Sequence, residues 1–575
     1  MAKRGGGSRE GGVRDRAWLQ TLCRQALERR GVTGVPCRDM LDGLFAARQS
    51  LIGCFLESLD EEHLEQTVNR LESEKFLRPR GSMALDPGTQ VVGTMLNLGF
   101  GDRAADKASY YASLLHSALA VFLSAEAEGL ESVTKLFTTS RIFAEPIDRL
   151  EVSKQTGQVL VLIQRRVFLL TAVRHGQLCS KAELQDQVQE VLERAEVEPP
   201  SQLASLTALP KREAIIALAE AWRAKPDVME AVQQACLCLS IVPSQRTRGG
   251  AHANQLKALT GEGADRWFGK TNLVAGSLGH VGIYADHAVA DGLILKQFFE
   301  RFIDEQGASR DAGARNGVSE EALARPLSVG GFSPALEATW QKAARRYRED
   351  ASRLSTAQFT LQVPKSARGF LAAAVPVAAQ AAFFAQRGTL EAPYLPVSKR
   401  SSATRGLDFL HATPPGVKEV AQRFATGRPH CHHSASRALK WWTTSIRKAV
   451  KSRGGERFLH YFYRHAEEAG VHDDRFFEAV GFPDCLSYPS LCLSVMASPS
   501  FVPGLAFPPV EGGWGLGATI FDGGVNLTAT AWNGEAPLAA RNMRHALERI
   551  LAPPPPALSL PRRSTQAATD IAPRI

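Results

Sequence analysis

Val159-Leu160-Val161-Leu162-Ile163 is an unbroken apolar run of strand length, and it limits the folds open to this chain more than any other stretch. A strand with one wet face alternates polar and apolar residues, so a continuous run reads as a strand buried within a sheet. Helical patterns stand around it. Met40 to Leu77 carries Leu41, Leu44, Phe45, Leu51, Phe55, Leu59, Leu64 and Leu71 at helical spacing, which reads as paired amphipathic helices. Ala104 to Ala127 repeats the pattern with Tyr110, Tyr111, Leu114, Leu115, Leu119 and Phe122. The apolar stretch from Gly369 to Phe384 contains Pro376 and Gln380 and is rich in alanine, so a buried core helix is expected there rather than a membrane span. Alternating strands and helices favour an α/β or α+β architecture.

With 575 residues, 44% hydrophobic and 22% charged, the chain exceeds one typical core, and neither global disorder nor a fibrous structure fits. The Gly-, Ala-, Arg- and Ser-rich stretch from Gln306 to Ala335 has linker composition. We therefore expect a basic disordered tail over 1–30, a first domain over 31–330, a second over 331–552 and a Pro-rich disordered tail over 553–575. Pro553 should stop a helix containing Met543, Leu547 and Ile550. The net charge of +9 suits acidic small ligands. The N-terminal cations Lys3, Arg4, Arg9, Arg14 and Arg16 lack interleaved aromatics for base stacking, so no nucleic-acid partner is expected.

Nine cysteines without framework spacing point to free thiols in a reducing intracellular compartment. The first twenty residues lack an apolar leader segment, so a soluble, cytoplasmic protein is favoured, although the Arg-rich start is also compatible with an organelle. No metal site is expected. Cys236-Leu237-Cys238 lies in an apolar run without a second pair, and His430-Cys431-His432-His433 has no partner cluster. A monomer is expected.

The strongest chemical signal is Val281-Gly-Ile-Tyr-Ala-Asp286-His287-Ala-Val-Ala-Asp291-Gly292, an apolar strand running into a turn that holds His-x-x-x-Asp-Gly. A strand end holds a side chain rigidly, and a histidine titrates near neutrality, which suits a general base taking a proton from an alcohol. Asp291 reads as a positioning group, buried in an ion pair that fixes the loop. Any solvated histidine before an Asp-Gly turn would match the same pattern.

Several segments in order resemble the choline/carnitine acyltransferase family. Leu206-Thr207, Arg212 and Ala221-Trp222 are similar to its LT..R..WA..R segment, and Asp265-Arg266-Trp267-Phe268-Gly269-Lys270 to its NRWFDKS stretch. HAVADG resembles its H-x-x-x-[DE]-G. Gln380-Ala-Ala-Phe383-Phe384 with Tyr394-Leu-Pro-Val-Ser398 resembles QLAYY followed by YESAS.R, and Glu511-Gly-Gly513-Trp514-Gly515 with Val525-Asn526-Leu527 and Trp532 resembles DGYGV followed by INFS.SAY. The resemblance implies two α/β domains, each built like chloramphenicol acetyltransferase, with an active-site tunnel at their interface and His287 at its centre. It implies coenzyme A or acyl-CoA as cosubstrate, no permanently bound cofactor, and a small hydroxyl acceptor. By the same resemblance Asp291 pairs with Arg405, Lys365 and Arg368 meet CoA phosphates, and Tyr394, Ser398 and Trp532 border the substrate.

The chain departs from the family pattern in places that bear on chemistry. The family's oxyanion-binding serine, last of a Ser-Thr-Ser segment, falls on Met496, and a thioether cannot donate a hydrogen bond, so Ser494 or Ser498 must substitute or turnover is slow. The carnitine-binding threonine falls on Leu407 and the arginine on Ala469, which leaves a carnitine carboxylate without its guanidinium unless Arg475 reaches the site from a shifted register. The leading expectation is an O-acyltransferase with an acceptor other than carnitine. Two alternatives stand beside it: a member of the wider His-x-x-x-Asp-Gly superfamily with a carrier-protein thioester as donor, and a degenerate member that binds acyl-CoA or a protein without catalysis.

Overall fold

A computed structural model describes residues 107–552 apart from 154–156, 243–260, 262, 277–279, 312–326, 399–406, 430, 452–489 and 498–510, together with short strands at 90–92 and 96–97. The helices expected between Met40 and Leu77 and both terminal tails lie outside the described residues.

The chain builds a mixed α/β structure around two large sheets. The first contains β1 (Gln90–Val92), β2 (Leu96–Asn97), β5 (Gln158–Ile163), β6 (Arg166–Thr171), β9 (Leu237–Val242), β10 (Asn272–Gly276), β11 (His280–Asp286) and β12 (Leu327–Ser328), in the order β1-β11-β10-β9-β5-β6-β12 with β2 also on β11. Two small hairpins, β3 (Thr139–Ile142) with β4 (Arg149–Val152) and β7 (Val173–Arg174) with β8 (Gln177–Leu178), stand beside it. The run from Val159 to Ile163 is buried throughout, because helices cover both faces. Val159, Val161 and Ile163 pack with α1 (Lys107–Ala127), α2 (Glu131–Thr138), α3 (Lys181–Val197) and α6 (Gly292–Asp311). Leu160 and Leu162 pack on the other side with α4 (Lys211–Ala224), α5 (Pro226–Gln234) and α7 (Pro334–Ser352). The helix expected over 104–127 is α1.

The break expected after residue 330 falls inside this packing. β12 returns to pair with β6, and α7 buries Leu336, Trp340 and Ala343 in the first half's core. The chain passes into the second sheet only at Leu354, because the linker-like composition precedes one more strand and helix of the first half.

The second sheet runs β13-β18-β17-β16-β14-β15, from β13 (Leu354–Gln362), β14 (Tyr394–Ser398), β15 (Leu407–His411), β16 (Leu491–Ala497), β17 (Trp514–Phe521) and β18 (Gly524–Trp532). Its two faces differ in chemistry. Phe359, Leu395, Leu491, Leu493, Trp514, Leu516, Leu527 and Ala529 point into one core with α8 (Leu371–Arg387), α9 (Val417–Ala425), α10 (His432–Val450) and α11 (Ala536–Leu551). The opposite face carries, by register, the rows Cys492–Gly515–Thr530–Thr356, Ser494–Gly517–Thr528–Gln358 and Met496–Thr519–Asn526–Thr360. Strand residues two apart share a face, so apart from Met496 these rows are small or polar. α8 is the core helix expected from the alanine-rich stretch, and its Gln380 is buried with Nε2 donating to Glu391 O at 3.0 Å and Thr413 Oγ1 at 3.0 Å. Among the described residues, two helical stretches are apolar enough to cross a membrane, α1 and the one ending in α8, and both are mostly buried in these cores.

Lys270 ties the first hairpin to the first sheet. It is fully buried, and Nζ donates to Ser140 Oγ at 2.6 Å, Gln233 O at 2.7 Å and Ala235 O at 2.8 Å. Burial pushes its ammonium down to about 8 from the ordinary 10.5. Between those values the unfolded chain holds a proton that the folded chain has released, so stability at this site rises with pH across the window and is lowest below about 8. In urea titrations, wild type should therefore gain stability relative to Lys270→Met between about pH 7.5 and about pH 9.5. A constant difference would show that the site does not titrate in that range.

Candidate active site

β11 ends at Asp286, which places His287 on the first residue beyond a strand of the first sheet. Asp286 is buried and organises the turn that follows. Its Oδ1 accepts from Arg141 Nη2 at 2.8 Å and from the Ala288 N–H at 2.8 Å, and its Oδ2 accepts from Arg141 Nε at 2.5 Å. Its carbonyl oxygen accepts from the N–H groups of Val289 at 3.0 Å and Ala290 at 2.9 Å. His287, half-buried, is thereby carried on a turn with fixed backbone geometry.

The bidentate pair belongs to a larger buried cluster. Arg141 Nη1 donates to Asp148 Oδ2 at 3.0 Å, and Lys211 Nζ lies 3.2 Å from Asp148 Oδ1. Two cations face two carboxylates, so the group is neutral as a whole, and the fork of each guanidinium edge is used. The Arg141 N–H donates to Gly269 O at 2.8 Å, where φ is +99°, a backbone region that favours glycine.

Asp291 is more exposed than expected and caps the helix that follows. It is half-buried rather than buried, and its Oδ1 accepts from the N–H groups of Leu293 at 2.9 Å and Ile294 at 3.0 Å. That is the N-cap of α6, satisfying donors the helix cannot. Arg405, its expected partner, lies outside the described residues. The buried carboxylate–arginine pair that fixes the loop is Asp286–Arg141. A carboxylate closing an apolar strand beside the histidine was a readable signal for Asp286, whereas nothing local in the sequence points to Arg141.

Met496, on the polar face of the second sheet, meets the first residue of the helix that follows this turn. A Cβ built on Gly292 would stand 3.2 Å from Met496 Cε, so the methionine's methyl group covers the start of α6. Nearby, Tyr284 on β11 packs edge-on to Phe268 at 5.5 Å, Phe268 meets Tyr347 at 5.6 Å, and Leu354 and Trp532 of the second sheet join the same cluster. Trp532 is half-buried there with the Arg353 guanidinium 5.8 Å from its ring centre. Ser494 is exposed and shares Met496's face, while Ser498 lies outside the described residues. Tyr394 is half-buried, in register with Cys492, its ring 5.4 Å from Phe409. Ser398 is half-buried opposite Leu407 on the edge pair β14–β15. Lys365 is exposed, and Arg368 is ion-paired with Asp522, whose side chain is 90% exposed. Ala469 and Arg475 lie outside the described residues.

The family model described as choline/carnitine O-acyltransferase matches residues 95–549, a span holding Arg141, Asp286, His287, Asp291 and Met496. The chain belongs to this family. Among curated relatives of this family member, mitochondrial carnitine O-palmitoyltransferase 2 of Mus musculus is 23% identical over 443 residues, covering 72% of this chain and 65% of the relative. Its counterpart in Bos taurus is 24% identical over 446 residues, covering 72% and 64%. The matched stretch thus spans just under two thirds of these relatives' length. Among solved structures, the first condensation domain of the calcium-dependent antibiotic synthetase, in complex with a substrate analogue, has 13% identity and a TM-score of 0.38 over 84% of this chain and 94% of that one.

Breaking the buried pair should cost far more than removing the cap. Arg141→Met leaves Asp286 buried without its counter-charge and should lower unfolding stability by ~3–5 kcal/mol. Asp291→Ala should cost about 1 kcal/mol, and Asp291→Asn, which still caps, much less. Denaturant titration of the three variants checks the order; an Asp291→Ala loss equal to that of Arg141→Met would overturn it.

Proposed function

We propose that the protein is an O-acyltransferase that moves an acyl group from a coenzyme A thioester to a hydroxyl acceptor other than carnitine. The observation that carries the reading is the fixed presentation of His287 at the end of β11, in a family whose members are acyltransferases. In this reading the two halves enclose a tunnel, with the thioester and the acceptor meeting at the His287 turn.

The imidazole takes the acceptor's hydroxyl proton as that oxygen attacks the thioester carbonyl carbon. A C–O bond forms and the carbonyl electrons move to oxygen. As the carbonyl reforms, the C–S bond breaks and the CoA thiolate leaves with the proton held by the imidazolium. No acyl-enzyme is needed. The Asp286–Arg141–Asp148–Lys211 cluster is already charge-balanced, so its part is to hold the turn, not to relay the proton.

Lys365 and Arg368 are the cations assigned to CoA phosphate. Arg368 must then exchange the carboxylate of Asp522 for phosphate, a substitution of one anion for another at an exposed site. On the acceptor side, Leu407 and Ala469 supply neither hydroxyl nor guanidinium, which favours an uncharged or purely cationic alcohol. The methionine against Gly292, where a hydroxyl donor was expected, is the one observation favouring a binding protein without turnover.

Thiol release from a panel of acyl-CoAs, with and without small alcohols, tests the proposal. His287→Ala should reduce acyl transfer by ~10²–10⁴ while leaving acyl-CoA affinity nearly unchanged. Retention of wild-type turnover would remove the histidine from the mechanism, and absence of turnover in wild type with intact binding would support the non-catalytic reading. Carnitine should be a poor acceptor beside uncharged alcohols and choline. Efficient saturation by carnitine at sub-millimolar concentration would contradict the acceptor assignment.

A further inference from the structure

We infer that Thr519 supplies the hydrogen bond to the thioester carbonyl oxygen that Met496 cannot, so that the oxyanion donor has moved one strand across the second sheet. The inference rests on the acyl-transfer reading and extends it to a residue that the family resemblance did not single out.

Position comes first. Met496 on β16 is the residue whose methyl group covers Gly292, next to the turn that carries His287. Thr519 is its direct register partner on β17 and faces the same way. Adjacent strands lie about 4.8 Å apart, so a hydroxyl at 519 is displaced from the 496 position by only that spacing. Ser494 and Thr528, the other hydroxyls on this face near Met496, lie in the next row of the sheet, one register step away from Met496.

The second observation is chemical. Thr519 is 2% exposed, and its hydroxyl makes no hydrogen bond among the described residues. Its neighbour in the row, Asn526, accepts on Oδ1 from Thr360 Oγ1 at 2.6 Å and keeps a second lone pair there beside its amide N–H groups. With no bond made to a described residue, the proton of Thr519 can turn to an incoming acceptor.

Along this face Gly515 and Gly517 are buried and Ser494 beside them is exposed. Gly515 and Gly517 precede Thr519 on the same face of β17. A strip of bare backbone thus leads to the hydroxyl, flanked by Ser494 on β16 and Thr528 on β18, and Thr528 is itself 7% exposed with no side-chain hydrogen bond among the described residues. A planar thioester can lie along that strip with its carbonyl oxygen at Thr519 and its carbonyl carbon towards the His287 turn. Negative charge building on that oxygen as the alcohol attacks then meets a fixed donor.

The test uses two non-reacting CoA analogues, a ketone with CH2 in place of the thioester sulfur and a thioether without the carbonyl. Calorimetry on wild type should show tighter binding of the ketone. Thr519→Val, nearly isosteric and well suited to a strand, should remove that preference and leave thioether affinity unchanged. Thr519→Ser should restore it, and Thr528→Val should keep it. In turnover, Thr519→Val should lower kcat ~10²–10³-fold with little change in KM. His287→Ala should lose turnover but retain the ketone preference, which separates failure of the general-base assignment from failure of this inference. A Thr519→Val protein that folds normally and still prefers the ketone would overturn the inference. So would loss of the preference in Thr528→Val instead, or a wild type that binds both analogues equally or neither.

Discussion

The bidentate ion pair between Arg141 and Asp286 is the interaction on which the architecture around His287 depends. Asp286 spends both carboxylate oxygens and its carbonyl on five donors, two from Arg141 and three from the backbone of the turn it introduces. The turn therefore cannot shift without exposing buried charge. Asp148 and Lys211 complete the neutralisation, so the desolvation of four charges is offset by short contacts within one cluster rather than by solvent. The apolar strand β11 can end on a charge because a guanidinium from another hairpin is waiting for it.

The second sheet provides the complementary surface. One face is a continuous hydrocarbon core against four helices, and that face fixes the register of every strand, since a slip by one residue would bury the Ser/Thr rows and expose Trp514, Leu516 and Leu527. The polar rows are then forced outward to meet the His287 turn. Met496 and the Tyr284–Phe268–Tyr347–Leu354–Trp532 cluster are the apolar points at which the two halves touch. Between and beside them, the face offers neutral hydroxyl and amide groups and no charge at any register position from Cys492 to Met496 or from Thr356 to Thr360, a surface suited to orienting an uncharged reacting group.

Much of this was legible in the chain. The unbroken run at Val159–Ile163 and the periodicity of 104–127 reported burial directly, and the alanine-rich stretch around Pro376 declared a core helix through its interrupting residues. His287 was readable because its motif is contiguous. What could not be read were partnerships made across the fold: Arg141 stands 145 positions before Asp286, and the pairing of Met496 with Thr519 exists only once β16 and β17 are in register. The capping contacts of Asp291 are local to its turn, whereas its expected pairing with Arg405 falls outside the described residues. The linker-like composition between Gln306 and Ala335 is followed by β12 and α7, which still pack into the first half.

The account holds that acyl transfer takes place where the His287 turn meets the polar face of the second sheet. Photolysis of an acyl-CoA carrying a diazirine beside the thioester, followed by peptide mass spectrometry, tests this location directly. Label on the peptides containing His287–Leu293 and Ser494–Met496, competed by unlabelled acyl-CoA, is the predicted result; competed labelling confined to other peptides would contradict the account.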